Sequence, residues 1–233
     1  MENYIADKKN LYTAILEFLE SSEDSSDDTP KKEFFERLTQ IIQQQFKDGD
    51  SAWMNEFLRI IKSISDNHHR DPNFMRNTQE LLQHYKDEIK QTVSNESIFH
   101  LFEDHKLLVH FLFKTDIITM TDTISSHMMN KFESNGNRYC HFFYPELEHF
   151  FGEEKMEDVK KELLNKNPDI FDNFELNRQE GENGSLICSM IRKDLVEEFI
   201  PYLTRNNYSL SSQITPSIFE TNSFLIKKNV SLI

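Results

Sequence analysis

Apolar residues recur with a helical period along almost the whole chain, and the pattern predicts an all-α protein of short helices. Leu11, Ile15, Leu16, Phe18 and Leu19 define a first short helix. Pro30 opens a second, with Phe34, Leu38, Ile41, Ile42 and Gln45 on one stripe. A third carries Trp53, Phe57, Ile60, Ile61 and Ile64, with Asp50 or Ser51 as its N-cap. A fourth carries Phe74, Leu81, Leu82, Tyr85 and Ile89. The connections are short, which favours antiparallel neighbours in a bundle or solenoid. From Ser94 the segments shorten: Ile98, Leu101 and Phe102 form one, and Leu107, Leu108, Phe111 and Leu112 the next. Ile117, Ile124, Met128 and Phe132 are expected on one longer helix that Asn135-Gly136-Asn137 stops. The aromatic run Tyr139 to Pro145 leads into Leu147, Phe150 and Phe151 and is expected mainly in the core. A helix over Met156–Leu164 ends at Asn165-Lys166-Asn167-Pro168. No β-branched alternation is long enough for a sheet.

Two stretches break the rhythm. Residues 21–30 are polar and acidic and read as a loop. Arg178 to Asn183 is polar and contains glycine, and divides a helical module over 1–180 from a segment over 184–233. That segment holds two apolar arms set back to back. Leu186, Ile187, Met190 and Ile191 make the first, Asp194 sits at the turn, and Val196, Phe199, Ile200 and Leu203 make the second. A helix pair of this kind needs a neighbour to bury its apolar face, and a solenoid end without a polar cap exposes its stacking face. Phe224, Leu225, Ile226, Val230, Leu232 and Ile233 are therefore the candidate partner-binding residues, and self-association through them is expected.

Composition narrows the class. The 233 residues are enough to bury a sizeable core, and five Gly and six Pro are too few for an all-β sandwich. With 26 Lys+Arg against 40 Asp+Glu, the net charge is −14, which repels phosphate backbones and anionic membranes. Cys140 and Cys188 both lie among apolar residues and are expected as buried free thiols. No run reaches the roughly 20 apolar residues of a membrane span, and the N-terminus lacks the apolar core of a secretion signal. An intracellular, cytoplasmic protein is the expectation.

Candidate chemistry is sparse. His68-His69-Arg70-Asp71-Pro72 is the most suggestive cluster, but adjacent histidines diverge and a zinc site needs three or four convergent ligands. A helix-capping loop, with Asp71 as cap and Pro72 in the first turn, accounts for the same residues. The remaining histidines show no metalloprotease spacing, the five scattered glycines build no phosphate loop, and Cys140-His141 are sequential rather than facing. No metal, cofactor or catalytic residue is expected. Ser21 and Ser25 each have an Asp three positions on, which suits acid-directed kinases.

Ile187 to Ile200 has the apolar rhythm of the two helices of an ankyrin repeat. It carries Ser185-Leu186-Ile187-Cys188 where Thr-Pro-Leu-His is usual, and Asp194 where Gly is usual. More broadly, the chain resembles the N-terminal module that precedes the repeats in a large group of ankyrin-repeat proteins from parasitic protists. Ser65 to Phe74, Phe142 to Leu147, Ile191 to Ile200, Ser217 to Leu225 and Val230 to Ile233 carry that resemblance. It implies a chain that continues past Ile233 into further helix pairs. The function expected is non-catalytic protein–protein interaction, as a scaffold or adaptor whose acidic surface favours basic partners. The alternative is an enzyme or effector with a helical site at His68, His69 and Asp71.

Overall fold

The structure is a computed structural model that describes residues 2–21, 29–45, 52–68, 72–132, 138–180, 190, 196–207, 209 and 218–219. Thirteen helices, and no strand beyond an isolated Phe132–Arg138 bridge, are found among these residues. They are α1 (Glu2–Leu19), α2 (Thr29–Gln45), α3 (Ala52–His68), α4 (Pro72–His84), α5 (Lys86–Thr92), α6 (Asn95–Phe102) and α7 (Lys106–Lys114). Then follow α8 (Asp122–Asn130), α9 (Tyr139–Phe142), α10 (Tyr144–Phe151), α11 (Glu153–Lys166), α12 (Phe174–Glu180) and α13 (Val196–Arg205). The all-α class read from the periodicity is the observed one.

The chain forms two compact units. One comprises Met1–Glu103 and Phe111–Thr119, the other Asp104–His110 and Met120–Ile233. The boundary expected at 180–184 falls on residues 181–184, which lie outside the described ones.

In the first unit α1 packs on α2, α3 and α4, and α3 also meets α4, α5 and α6. The apolar stripes do what their spacing implies: Leu11, Ile15, Leu38, Phe57, Ile61, Leu81 and Leu82 have no exposed surface. Phe18, Phe34, Phe35, Tyr85, Phe57 and Trp53 form a continuous chain of ring contacts, from the 4.3 Å stack of Phe18 on Phe34 to the 5.9 Å edge contact of Trp53 on Tyr85. Such rings contribute about 0.5–1.5 kcal/mol per pair beyond the area they bury. The fourth predicted helix is interrupted at Tyr85, whose backbone (φ −98°, ψ 19°) leaves helical geometry between α4 and α5. Its ring is buried in the aromatic chain, so tertiary packing overrides the local period there.

The return segment 111–119 closes this unit. Asp116 adopts a left-handed backbone (φ 55°), and the N–H groups of Ile117 and Ile118 both donate to Leu112 O, at 2.9 and 3.2 Å. Both isoleucines are buried by this turn. Ile117 therefore lies in the turn after α7, and not on the long helix expected through Phe132. Asn95 then clasps Thr119 by two bonds: Asn95 Nδ2 donates to Thr119 O (2.7 Å), and Thr119 N donates to Asn95 Oδ1 (2.8 Å).

In the second unit α9 packs on α8, α10 and α11, and α10 on α11. Thr121 caps α8 by accepting from Ile124 N, at 3.3 Å. Phe132 lies beyond the end of α8 and is 75% exposed, the second departure from the single long helix. Phe142, Phe143 and Tyr144 are buried as expected, while Phe150 is 38% exposed. Gly152 joins α10 to α11 with φ at 86°, where a side chain is strained. Cys140 is a buried free thiol; Cys188 lies outside the described residues. No helix among the described residues is long and apolar enough to cross a membrane.

Candidate functional site

The second helix turns two faces to different purposes. Phe34 and Leu38 point into the first unit's core, while Lys31, Phe35 and Thr39, each one turn from the next, line an open groove of about 650 Å³ with His84 of α4. Lys32, Glu36 and Gln40 form its second rail and are exposed. The Phe35 and His84 rings stack at 3.8 Å with an interplanar angle of 15°. Behind them the Tyr85 and Thr39 hydroxyls share a hydrogen bond at 3.5 Å, and burial holds that phenol above its ordinary pKa against the opposing Thr39 bond. Lys31 Nζ donates to Glu80 Oε1 at 2.9 Å, which ties α2 to α4 across one end of the groove.

Beside the groove, α4 reaches under the end of α1. The buried Asn77 amide donates to Phe18 O (3.1 Å), Leu19 O (3.3 Å) and Ser21 O (2.8 Å). Phe18 O and Leu19 O are among the carbonyls that a helix C-terminus leaves without intrahelical donors, and Phe18 O also accepts from Ser21 N at 3.1 Å. Ser21 Oγ donates in turn to Phe18 O at 2.8 Å.

The second unit holds two ionic networks. Arg178, on α12 and only 1% exposed, donates to Phe142 O (3.3 Å), to Glu146 (2.7 Å) and to Glu175. Its guanidinium also lies over the Phe142 and Phe174 rings, at 5.7 and 5.6 Å. His110 Nδ1 meets Glu146 at 3.1 Å and its Nε2 lies 3.8 Å from Glu175, so Arg178, the two carboxylates and the imidazole close a ring joining α7, α10 and α12. Burial alone would raise the Glu146 carboxyl; the bonds from His110 and Arg178 outweigh it and hold the pKa below the ordinary range.

The second network is built on His141, which has no exposed surface. Its Nδ1 accepts from Arg138 N (3.1 Å) and its Nε2 bonds Glu162 (3.0 Å). A ring nitrogen that accepts a backbone N–H carries no proton, so His141 is the neutral tautomer with its hydrogen on Nε2. Burial pushes its pKa down, against the raising effect of the Glu162 bond. Arg138 also donates to Glu162 (3.1 Å) and to Met129 O (3.1 Å). The His141 bond, then the Arg138 charge, hold Glu162 below the ordinary carboxylate range despite opposing desolvation. Tyr144 donates to Glu148 nearby, and burial together with that bond raises its pKa.

Of the sites expected from the sequence, Phe224, Leu225, Ile226, Val230, Leu232, Ile233 and Ser25 lie outside the described residues, as do His69 and Asp71. His68 is described only as the last residue of α3. Ser21 is half-buried with its hydroxyl engaged. The groove was not anticipated, although Lys31, Phe35 and Thr39 stand at successive helical turns in the sequence. Nor were the networks of Arg178 and His141, whose paired members lie up to 65 residues apart in the sequence, as His110 and Glu175 do. No family model matches the chain, no curated protein matches it, and no solved structure matches it.

Proposed function

We propose that the chain is a non-catalytic protein–protein interaction module, a scaffold or adaptor that holds a partner on a helical surface. The observation that supports this most is the α2–α4 groove, which places an aromatic stack between two polar rails. An aromatic anchor bordered by polar groups is the composition of an interface hot spot. The charged groups of the second unit support the same reading, since each network bonds its own members and joins helices. The resemblance to the N-terminal module of ankyrin-repeat proteins points the same way. At long range the charge of −14 favours basic partners.

A photo-crosslinking residue at the exposed Gln40, compared with one at the exposed Glu157 on α11, tests the reading in cells. A partner captured at Gln40, not at Glu157, and lost when the exposed His84 becomes Ala without a change in melting temperature, is the expected result. Equal capture at both positions, or capture that survives His84→Ala, argues against it.

A further inference from the structure

We infer that His141 is a proton-operated latch: a proton on its Nδ1 releases the Arg138 backbone, and with it the hold of α9 on the end of α8, while α10 and α11 stay packed. The latch lies in the second unit and owes nothing to the α2–α4 groove.

It is built from reciprocal bonds. Arg138 N donates to His141 Nδ1 at 3.1 Å, and His141 N donates to Arg138 O at 3.0 Å. Beside this pair Tyr139 N donates to Lys131 O at 2.9 Å, and Phe132 bridges to Arg138. Together these bonds tie the single turn of α9 to the residues that end α8.

Geometry leaves a protonated ring one outcome. Both nitrogens of an imidazolium are donors, so turning the ring over offers the Arg138 N–H no acceptor. The ring has no exposed surface and cannot swing out to water without unpacking α9. Its Nε2 stays on Glu162, 3.0 Å away, because a charged donor strengthens a bond to a carboxylate. The Arg138 guanidinium donates to that same carboxylate at 3.1 and 3.3 Å, so the new positive charge repels it. The Arg138 backbone is therefore the part that moves.

The surroundings set where this happens. Burial opposes the proton most; Glu162 of α11 favours it, and Lys166 of α11 and Arg138 oppose it. On the other elements packed against α9, Lys131 at the end of α8 is paired with Asp104, and Glu146 and Glu148 of α10 bond Arg178 and Tyr144. Release therefore falls below the ordinary histidine value of about 6.5, where Glu162, held low, is still ionised.

Amide hydrogen exchange and imidazole nitrogen shifts of the full chain, followed by NMR from about pH 7.5 to about pH 5, test this. As Nδ1 takes its proton, protection of the Arg138 and Tyr139 amides is expected to fall at least about tenfold, while that of Leu147 on α10 and Leu163 on α11 changes less than about threefold. Glu162→Gln removes the carboxylate that favours the proton, so titration and release should both move about one unit lower in pH. The Glu162 side chain is 44% exposed, so the variant keeps the fold, which circular dichroism verifies. Arg138 protection that survives protonation of the ring overturns the inference. So does protection lost equally at Leu147 and Leu163, which is acid unfolding of the unit as a whole, and so does a release that stays at the same pH in Glu162→Gln.

Discussion

Asn77 completes the end of one helix from inside another. Its amide serves three backbone carbonyls of α1 and the residues after it, and its own helix supplies the rigidity that keeps it there. Asn77→Ala takes the amide from Leu19 O and Ser21 O, while Phe18 O keeps Ser21 as a donor, at a cost of about 1–3 kcal/mol. A lower urea midpoint with an unchanged slope is the expected readout, and an unchanged midpoint contradicts the role. His141 makes a different prediction. Its folded pKa lies below the ordinary value of about 6.5, so its contribution is complete above that value and is lost as pH falls through the folded one. Glu146 and Glu162 are also held low, and their contributions are complete above the ordinary carboxylate range and vanish on further acidification. Stability should therefore decline as pH falls below the ordinary histidine value. A His141→Gln variant should show a shallower decline there, measured by urea midpoints across pH. An identical pH profile in both proteins would count against the buried neutral ring. None of these roles is visible in the sequence: Asn77 reads as one more polar position on an amphipathic helix, and His141 as a neighbour of Cys140. The carbonyls Asn77 serves lie 56 to 59 residues away and Glu162 lies 21 from His141, and only folding brings them within reach.

At the scale of elements, the period of the apolar residues placed most helices correctly, because burial of a stripe is a local consequence of spacing. It failed where a single residue ends a helix for a tertiary reason. Tyr85 interrupts a continuous stripe to bury its ring, and Asp116 turns the chain so that Ile117 and Ile118 enter the core without a helix. Gly152 was legible only as a glycine between two apolar runs. Its φ of 86° and the open space around a would-be Cβ separate two possible roles, backbone and packing. Gly152→Ala meets no atom, so its whole cost is the backbone conformation, φ 86° with ψ 158°, about 1–3 kcal/mol. Asn is tolerated only where a positive φ goes with ψ near 47°, so Gly152→Asn should lose about as much as Gly152→Ala, as thermal melts of the two variants will show. A markedly smaller loss for Asn would mean that something other than this backbone conformation sets the preference at this position.

At the scale of the molecule, the division into units follows no single cut in the sequence. The first unit ends at Glu103 and resumes for Phe111–Thr119, with seven residues of the second unit between. The resumed piece brings Leu112, Ile117 and Ile118, all buried, and the two-bond clasp of Asn95 on Thr119. A fragment of residues 1–103 should therefore melt at a lower temperature and less cooperatively than one of residues 1–119. Matching melts would show that the resumed segment adds nothing to this unit. Composition shifts, which suggested a boundary near Asn183, cannot reveal such interleaving, because every piece is helical and alternates apolar with polar residues alike. The interleaving also bears on synthesis and inheritance. As the chain leaves the ribosome, the first unit is not complete until part of the second has already emerged. A recombination event that joins one unit to a new neighbour must break the other, so the two are passed on together or not at all.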